Sequence, residues 1–417
     1  MANTIKTLSD GDITRKALSI LHNNLVFTKT INREYDDRFA RSGAKNGGSL
    51  LIREPNQFTI RSGAVMDTQD VTERTQTLTI ATQRGVDINF SSVELTLSLD
   101  DFAERILEPA MARLAAEVDK VTIANCYPDV WNVAWTTITS KPAHGDLLTA
   151  RAKLAKGLAP TSDRALMCES LQANSLISAG LSFYNPASEL SRQYSRGLLG
   201  DFAGFKMYET EMTPTHTRGT ATNVTPTVDL SAGTTSIEDG VAVIAMTANL
   251  TATYYHPGDT FTVAGLYAVN PETKARYGHL QTWTVTATTT CSAALKEIPV
   301  KPTPYTSGAF QNCDIIASHA TASNAVICAT GAGNDTCGTA GSSYVNALAY
   351  HRDAFTFVTA DLEMPHGVDF AAREVYDGIS LRLVRQYDIV NDKFPCRIDV
   401  LFGSKAIRPE WACRIIG

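Results

Sequence analysis

The side chains best suited to chemistry in this 417-residue chain are eight cysteines (126, 168, 291, 313, 328, 337, 396 and 413) and eight histidines. No two cysteines form a C-x-x-C pair, the close spacing from which zinc sites are built, so no metal ligands are expected. Cys328 and Cys337 are near enough to pair in principle, but buried thiols are the better reading in a reducing compartment. Among the histidines only His351 has a charged run beside it, His351-Arg352-Asp353. A catalytic His–Asp pair is one reading. A solvated helix surface is the stronger one, because sequence neighbours on a helix point apart. The sequence contains no G-x-S-x-G, no G-x-x-x-x-G-K-[ST] and no H-E-x-x-H. Gly331 and Gly333 suit a turn, and Gly403-Ser404-Lys405 lacks the upstream glycine of a phosphate loop. The chain is therefore not expected to be an enzyme, and no catalytic residue, cofactor or metal is assigned. A hydrolase using His351 or another histidine stands as a minor alternative.

Charge excludes more. A formal net charge of −6 argues against a dedicated nucleic-acid binder, which would carry a strongly basic face. Residues 1–62 are mildly basic, with ten Lys or Arg against six Asp or Glu. Arg33, Arg38, Arg41 and Lys45 could meet phosphate, but only Tyr35 and Phe39 lie among them, so a solvated arm is favoured. Any contact with nucleic acid there should be electrostatic and independent of sequence. No run of about 18 apolar residues is present and the N-terminus lacks an apolar signal core, so a cytosolic chain is expected.

The elements that must position these residues begin with a short helix capped by Asp12, whose stripe is Ile13, Ala17, Leu18, Leu21 and Leu25. Two strands, LLIRE (50–54) and FTIR (58–61), lead through a polar tip to TQTLTIATQ (75–83), which alternates threonine with partly apolar residues. Such a ribbon is marginal alone and has no obvious partner in its own chain, so an intermolecular contact is suspected. A long helix follows from Ser98, with a capping-box spacing to Asp101 and Phe102, Ile106, Ala110, Leu114 and Val118 on one face. Continued to Asn125 it would span about 40 Å, with Pro109 bending or interrupting it. From Asp146 the pattern runs helix (LLTARAKLAKGLA), buried strand (RALMCE), helix (SLQANSLISAG) and, after a glycine-rich loop, a further strand: an α/β layer.

Residues 222–340 differ in kind. Only 12 of these 119 residues are charged, about 10%, against about 23% elsewhere. Threonine, alanine and glycine dominate, and VAVIAMT, DTFTVA, LQTWTVTA, EIPV, CDIIA and NAVICA read as short strands of an all-β barrel or sandwich. Asn270-Pro271 turns the chain between two of them. After Gly341 the earlier style resumes. YVNALAYHRDAFTFV reads as a helix running into a strand, and ISLRLVRQYDIV pairs with CRIDVLFG in a hairpin across Asn391-Asp392. The β-rich block is thus an insertion in α/β sequence.

With GDTFTVAGLYAVNPETK and LQTWTVTA in the insert, and RLVRQYDIVNDKFPCRIDVLFGSKAIRPEWACRI at the end, this order resembles the tailed-phage major capsid proteins of the Hong Kong 97 fold. It is most similar to the P-twenty-two-like coat proteins, which carry an inserted β-barrel domain. The resemblance implies an α+β fold of arm (1–46), E-loop hairpin (47–97), peripheral domain with spine helix (98–145), axial domain (146–221 and 341–378), insert (222–340) and closing strands (379–417). The polar loop expected near the start of the insert is abbreviated at Ser236–Gly240. A shell subunit is implied, forming pentamers and hexamers, assembling in the bacterial cytoplasm with scaffolding and portal proteins, and enclosing double-stranded DNA. Arg53, Glu54, Arg61, Asp67, Glu73 and Arg74 become candidates for inter-subunit pairs, setting register more than strength. The alternative is a surface or carbohydrate-binding module with Trp283, Tyr254, Tyr255 and Tyr267 as an aromatic platform, although core packing of these residues is favoured.

Overall fold

The computed structural model describes residues 10–33, 49–66, 68–71, 73–91, 107–134, 142–180, 202–219, 227–228, 237–246, 253–291, 296–315, 323–326, 341–376 and 378–416. They divide between two compact units, one of residues 1–52, 75–125 and 355–405, the other of 53–74, 126–354 and 406–417.

The first unit is built on the 14-residue strand Lys393–Ala406. It pairs with Phe355–Ala360, with Ile379–Arg385, which in turn pairs Phe370–Tyr376, and with Thr82–Ser91. The hairpin read from ISLRLVRQYDIV and CRIDVLFG is present, with Arg382 opposite Asp399 and Leu383 opposite Ile398. Asp392 takes the left-handed conformation (φ 51°) in its turn. Helix Asp10–Asn24 packs on two of these strands. It buries Ala17, Leu18 and Leu21, and Leu25 just beyond it is buried too, so these four match the stripe read from the sequence; the side chain of Ile13 lies outside the described residues. Asp12 lies inside the helix, which starts three residues earlier than its capping role requires. The long helix is described over Glu108–Cys126, about 28 Å, and buries Met111, Leu114, Ala115 and Val118. Leu107 sits in a π-type turn and α-helix follows, so Pro109 falls where the geometry changes. The Ser98–Asp101 capping box, Phe102 and Ile106 lie outside the described residues.

Asp119 on that helix supplies a cap that no local pattern announces. The four-residue helix Phe27–Thr30 has no capping side chain of its own. The Asp119 carboxylate instead accepts from the backbone N–H of Val26 (2.7 Å), Phe27 (3.2 Å) and Thr28 (3.0 Å), and from the Thr28 hydroxyl (2.9 Å). Three amide groups at a buried helix start are satisfied by one side chain about 90 residues away.

The second unit contains two large sheets. One runs Val133–Ala134, Ala412–Ile416, Ser343–His351, Arg164–Cys168, Lys206–Glu209, with Thr215–Thr217 also on Ser343–His351. Helices His144–Lys156 and Ser170–Gly180 share one apolar core with it, through Leu147, Ala150, Leu154, Leu176, Leu166, Ala347 and Ile415. The α/β layer read from Asp146 onward is present. YVNALAYHRDAFTFV is not a helix. It is strand Ser343–His351, a 3-10 turn Arg352–Ala354 and strand Phe355–Ala360, buried almost throughout. Burial on both sides leaves an unbroken apolar run, which periodicity cannot separate from a helix.

The other sheet runs Thr227–Val228, Ser323–Val326, Thr260–Val269, Arg276–Val285, Lys296–Lys301, Val243–Met246, with Cys313–Ile315 added to Thr260–Val269. Each of the six strands read in the β-rich block has its counterpart here. Trp283, Phe261, Val263, Leu266, Val285, Ile298, Tyr255 and Ile244 form its core, and Thr260, Thr262, Thr282 and Thr284 are buried as well. The Asn270 turn is closed by its own side chain, whose oxygen accepts from the amides of Glu272 (2.9 Å) and Thr273 (3.1 Å).

Candidate inter-subunit surface

Strands Ser49–Arg53 and Thr75–Thr79 form a two-stranded ribbon of their own, with Ile52 and Leu78 its buried apolar side chains. Beyond the last ladder bond, Glu54 N–H to Arg74 O at 2.9 Å, the chain leaves β-structure. FTIR is therefore not a strand. Residues 54–71 are shaped instead by side chains bonding to backbone. Gln69 accepts from the Thr59 amide (2.8 Å) and donates to its carbonyl (2.6 Å), making a two-way clamp across the loop. The Arg61 guanidinium donates to the carbonyls of Gly63 and Val65. Held in this way, Phe58, Ile60, Val65, Met66 and Val71 project into solvent, Ile60 at 94% and Val65 at 84% exposure. Five bare apolar side chains on the 17 described residues of 54–71 are uncommon on a monomer surface, where such patches are typical of interaction sites.

The charged candidates sort by position. At the root Arg53 pairs with Glu73 (3.5 Å) and Arg74 with Glu54 (3.3 Å), each bridging the two sides of the ribbon within one chain. Arg61 is used in the loop itself, and Asp67 lies outside the described residues. Composition gave no hint of Gln57 and Gln69, nor of Tyr305 and Phe310. The Arg74 guanidinium lies 5.5 Å from the ring centre of Tyr305 and 5.0 Å from that of Phe310. Near this root, burial pushes the Glu410 carboxyl up to about 7; Arg408 and Arg74 oppose the shift and Glu54 adds to it.

Elsewhere several of the described reactive side chains have structural roles. His351 is buried at the end of its strand, and not on a solvated helix surface. Its Nδ1 accepts from the Asp353 amide (3.2 Å), the Asp353 carboxylate stands 3.8 Å off, and the Trp411 ring meets it edge-on. Burial lowers its pKa. A closer pair, His216 Nε2 to Asp259 Oδ1 at 2.9 Å, had no signal in sequence. Both are buried, with Tyr127 OH 3.3 Å from Nδ1 and the Gly219 and His256 amides donating to Asp259, so the group ties strand Thr215–Thr217 to the β-rich sheet. Cys126, Cys168, Cys313, Cys396 and Cys413 are buried, and burial pushes Cys168 and Cys313 up to about 12, far from a reactive thiolate. Trp283 and Tyr255 belong to the β core, and Tyr267 is half-buried beneath Arg276, so these three form no exposed platform. The side chain of Tyr254 lies outside the described residues. Among the described residues no cluster could hold a metal ion, and no helix is long and apolar enough to cross a membrane.

Residues 10–417 match the family model described as "P22 coat protein - gene protein 5". The chain belongs to the P22 coat protein family. It is a major capsid protein, and its work is to build a phage shell from copies of itself. The coat protein is also similar to solved capsid-type structures at low identity. It shares 13% identity with a structure from Mycobacterium phage Che8, covering 94% of this chain and 90% of that one at a TM-score of 0.47. For the acid-stable capsid of Helicobacter pylori bacteriophage KHP30 the values are 11%, 88%, 84% and 0.44. For the capsid of Cyanophage P-SCSP1u they are 11%, 89%, 84% and 0.42. No curated protein matches the sequence at a significant level.

Proposed function

We propose that this coat protein closes into an icosahedral shell of pentamers and hexamers around double-stranded DNA, and that the loop spanning residues 54–71 lies across an adjacent copy. The observation carrying this reading is the ordered loop with Phe58, Ile60, Val65, Met66 and Val71 bare of any partner. A shell supplies one by repetition, since a head-to-tail contact between identical chains closes into rings. Arg53, Glu54, Arg61, Asp67, Glu73 and Arg74 then act at the edges of that contact. Glu54 and Arg74, already paired within the chain, shape the ribbon, and Arg61 orients its tip.

In this reading the domains follow the capsid order: arm 1–46, E-loop 47–97, peripheral domain 98–145, axial domain 146–221 and 341–378, inserted barrel 222–340 and closing strands 379–417. The shared core of the β-rich sheet, which includes Val228 and Ile244 from its two end strands, supports treating the insert as a unit. The chemistry is structural, and the subunit acts with a scaffolding protein and a portal in the host cytoplasm. Packaged DNA is met without sequence preference. Replacing Phe58, Ile60, Val65 and Met66 with serine tests the reading. The expected result is a soluble subunit with unchanged circular dichroism that no longer forms shells. Normal shells from that variant would contradict it.

A further inference from the structure

The β-rich sheet has an assignment to make beyond its own stability. The segment after strand Lys296–Lys301 carries Tyr305 and Phe310, with ring centres 5.7 Å apart. That loop is fixed from several sides. Asp239 accepts from the Thr306 amide (2.7 Å) and hydroxyl (2.9 Å) and from the Ser307 hydroxyl (2.9 Å). Asn312 accepts from the Tyr305 amide (3.0 Å) and donates to the Thr303 carbonyl (2.7 Å), and the Cys313 amide donates to the Tyr305 carbonyl (3.2 Å). Two aromatic rings are thus presented on a rigid support, and what they hold is Arg74, at the root of the ribbon. Arg74 is in turn paired with Glu54 on the opposite side of the root. A second tie joins the same partners: Lys274 Nζ, in the turn between Thr260–Val269 and Arg276–Val285, is 3.4 Å from Gln57 Oε1 and 3.3 Å from the Gln311 carbonyl.

We propose that the β-rich sheet is the brace of the ribbon: Tyr305 and Phe310 clasp Arg74, and Lys274 holds Gln57, so that the free subunit presents its assembly loop already aimed. This rests on the reading of that loop as the contact with a neighbouring copy, and it makes Arg74, Tyr305, Phe310, Lys274 and Gln57 positioning residues for assembly. The physical reason is preorganisation. A loop fixed before contact loses less conformational freedom on binding than one that must be ordered at the interface. A guanidinium over two rings is directional as well as attractive, so it fixes orientation better than an exposed ion pair of the same charge.

The test uses the full-length free subunit, with spin labels placed at positions 66 and 272 by a chemistry that spares cysteine. Double electron–electron resonance should give a narrow distance distribution. It should broaden roughly twofold in Arg74→Gln, and in Tyr305→Leu combined with Phe310→Leu, while Tyr305→Phe keeps it narrow. Unchanged width in Arg74→Gln would overturn the proposal, since that variant leaves the aromatic loop intact. Equal width in the double variant, with Trp283 fluorescence still that of a buried indole, would overturn it too. Electron microscopy of the same variants separates this inference from the reading beneath it. A narrow distribution from a subunit that never forms shells would keep the brace and remove the shell contact; slowed or irregular shells from the broadened variants support both.

Discussion

Asp119 and Glu410 show how single carboxyls control this subunit in opposite ways. Asp119 satisfies three amide groups and a hydroxyl at a buried helix start. Replacing it with alanine leaves buried donors unpaired, and a loss of about 2–4 kcal/mol in unfolding free energy is expected. Asn at the same place keeps one acceptor oxygen and should recover part of that loss in a denaturant titration. Glu410 is the reverse case, a carboxyl whose folded pKa is raised from 4.5 to about 7, chiefly by burial. The folded state therefore holds its proton more tightly than the unfolded chain. This stabilisation is complete below about pH 4.5 and fades as pH rises to about 7. Thermal midpoints measured across that window should fall less steeply with rising pH in Glu410→Gln than in the parent. Parallel curves would remove Glu410 as the titrating group. Neither role was legible in the sequence, because the cap and its helix are far apart along the chain and the Glu410 environment is assembled from distant segments.

At the scale of elements, the β-rich block was the most legible part. Its threonine, valine and aromatic runs favour half-buried pleated surface, and short turns separate them. The closing hairpin was equally readable from Asn391-Asp392. The failures have separate causes. Ser343–His351 is buried on both faces, so alternation vanished and the run passed for a helix. FTIR has the composition of a strand, but the clamp from Gln69 and the Arg61 contacts replace the ladder. Strand packing also sets a strict demand at Gly85. A Cβ there would lie 2.5 Å from Asp399 Oδ1 and 2.6 Å from the Ile398 carbonyl. Asp399 cannot yield, because Arg382 (2.7 Å) and Arg397 (2.7 Å) grip its carboxylate. Gly85→Ala should therefore cost roughly 1–3 kcal/mol, read as a lower denaturant midpoint with unchanged slope.

At the scale of the whole molecule, the features that carry no chemistry are the informative ones. Buried thiols, a buried His216–Asp259 pair and a His351 facing a backbone amide serve the fold, and the family match assigns a structural task. The surface proposed for that task is the loop around Phe58, Ile60, Val65 and Met66, four exposed apolar side chains close together in sequence. The contact role proposed for it follows from the same ribbon, which has no obvious partner in its own sequence. The apolar character of its tip is not legible in the sequence, because Val65 and Met66 stand among polar residues that make the segment read as a polar turn. The most direct measurement is negative-stain electron microscopy of the coat protein co-expressed with the scaffolding partner proposed for it, beside the variant with serine at positions 58, 60, 65 and 66. Closed, uniform particles from the parent and unassembled, folded subunits from the variant are predicted. Monomers or dimers alone from the parent under assembly conditions, or normal particles from the variant, would contradict the account.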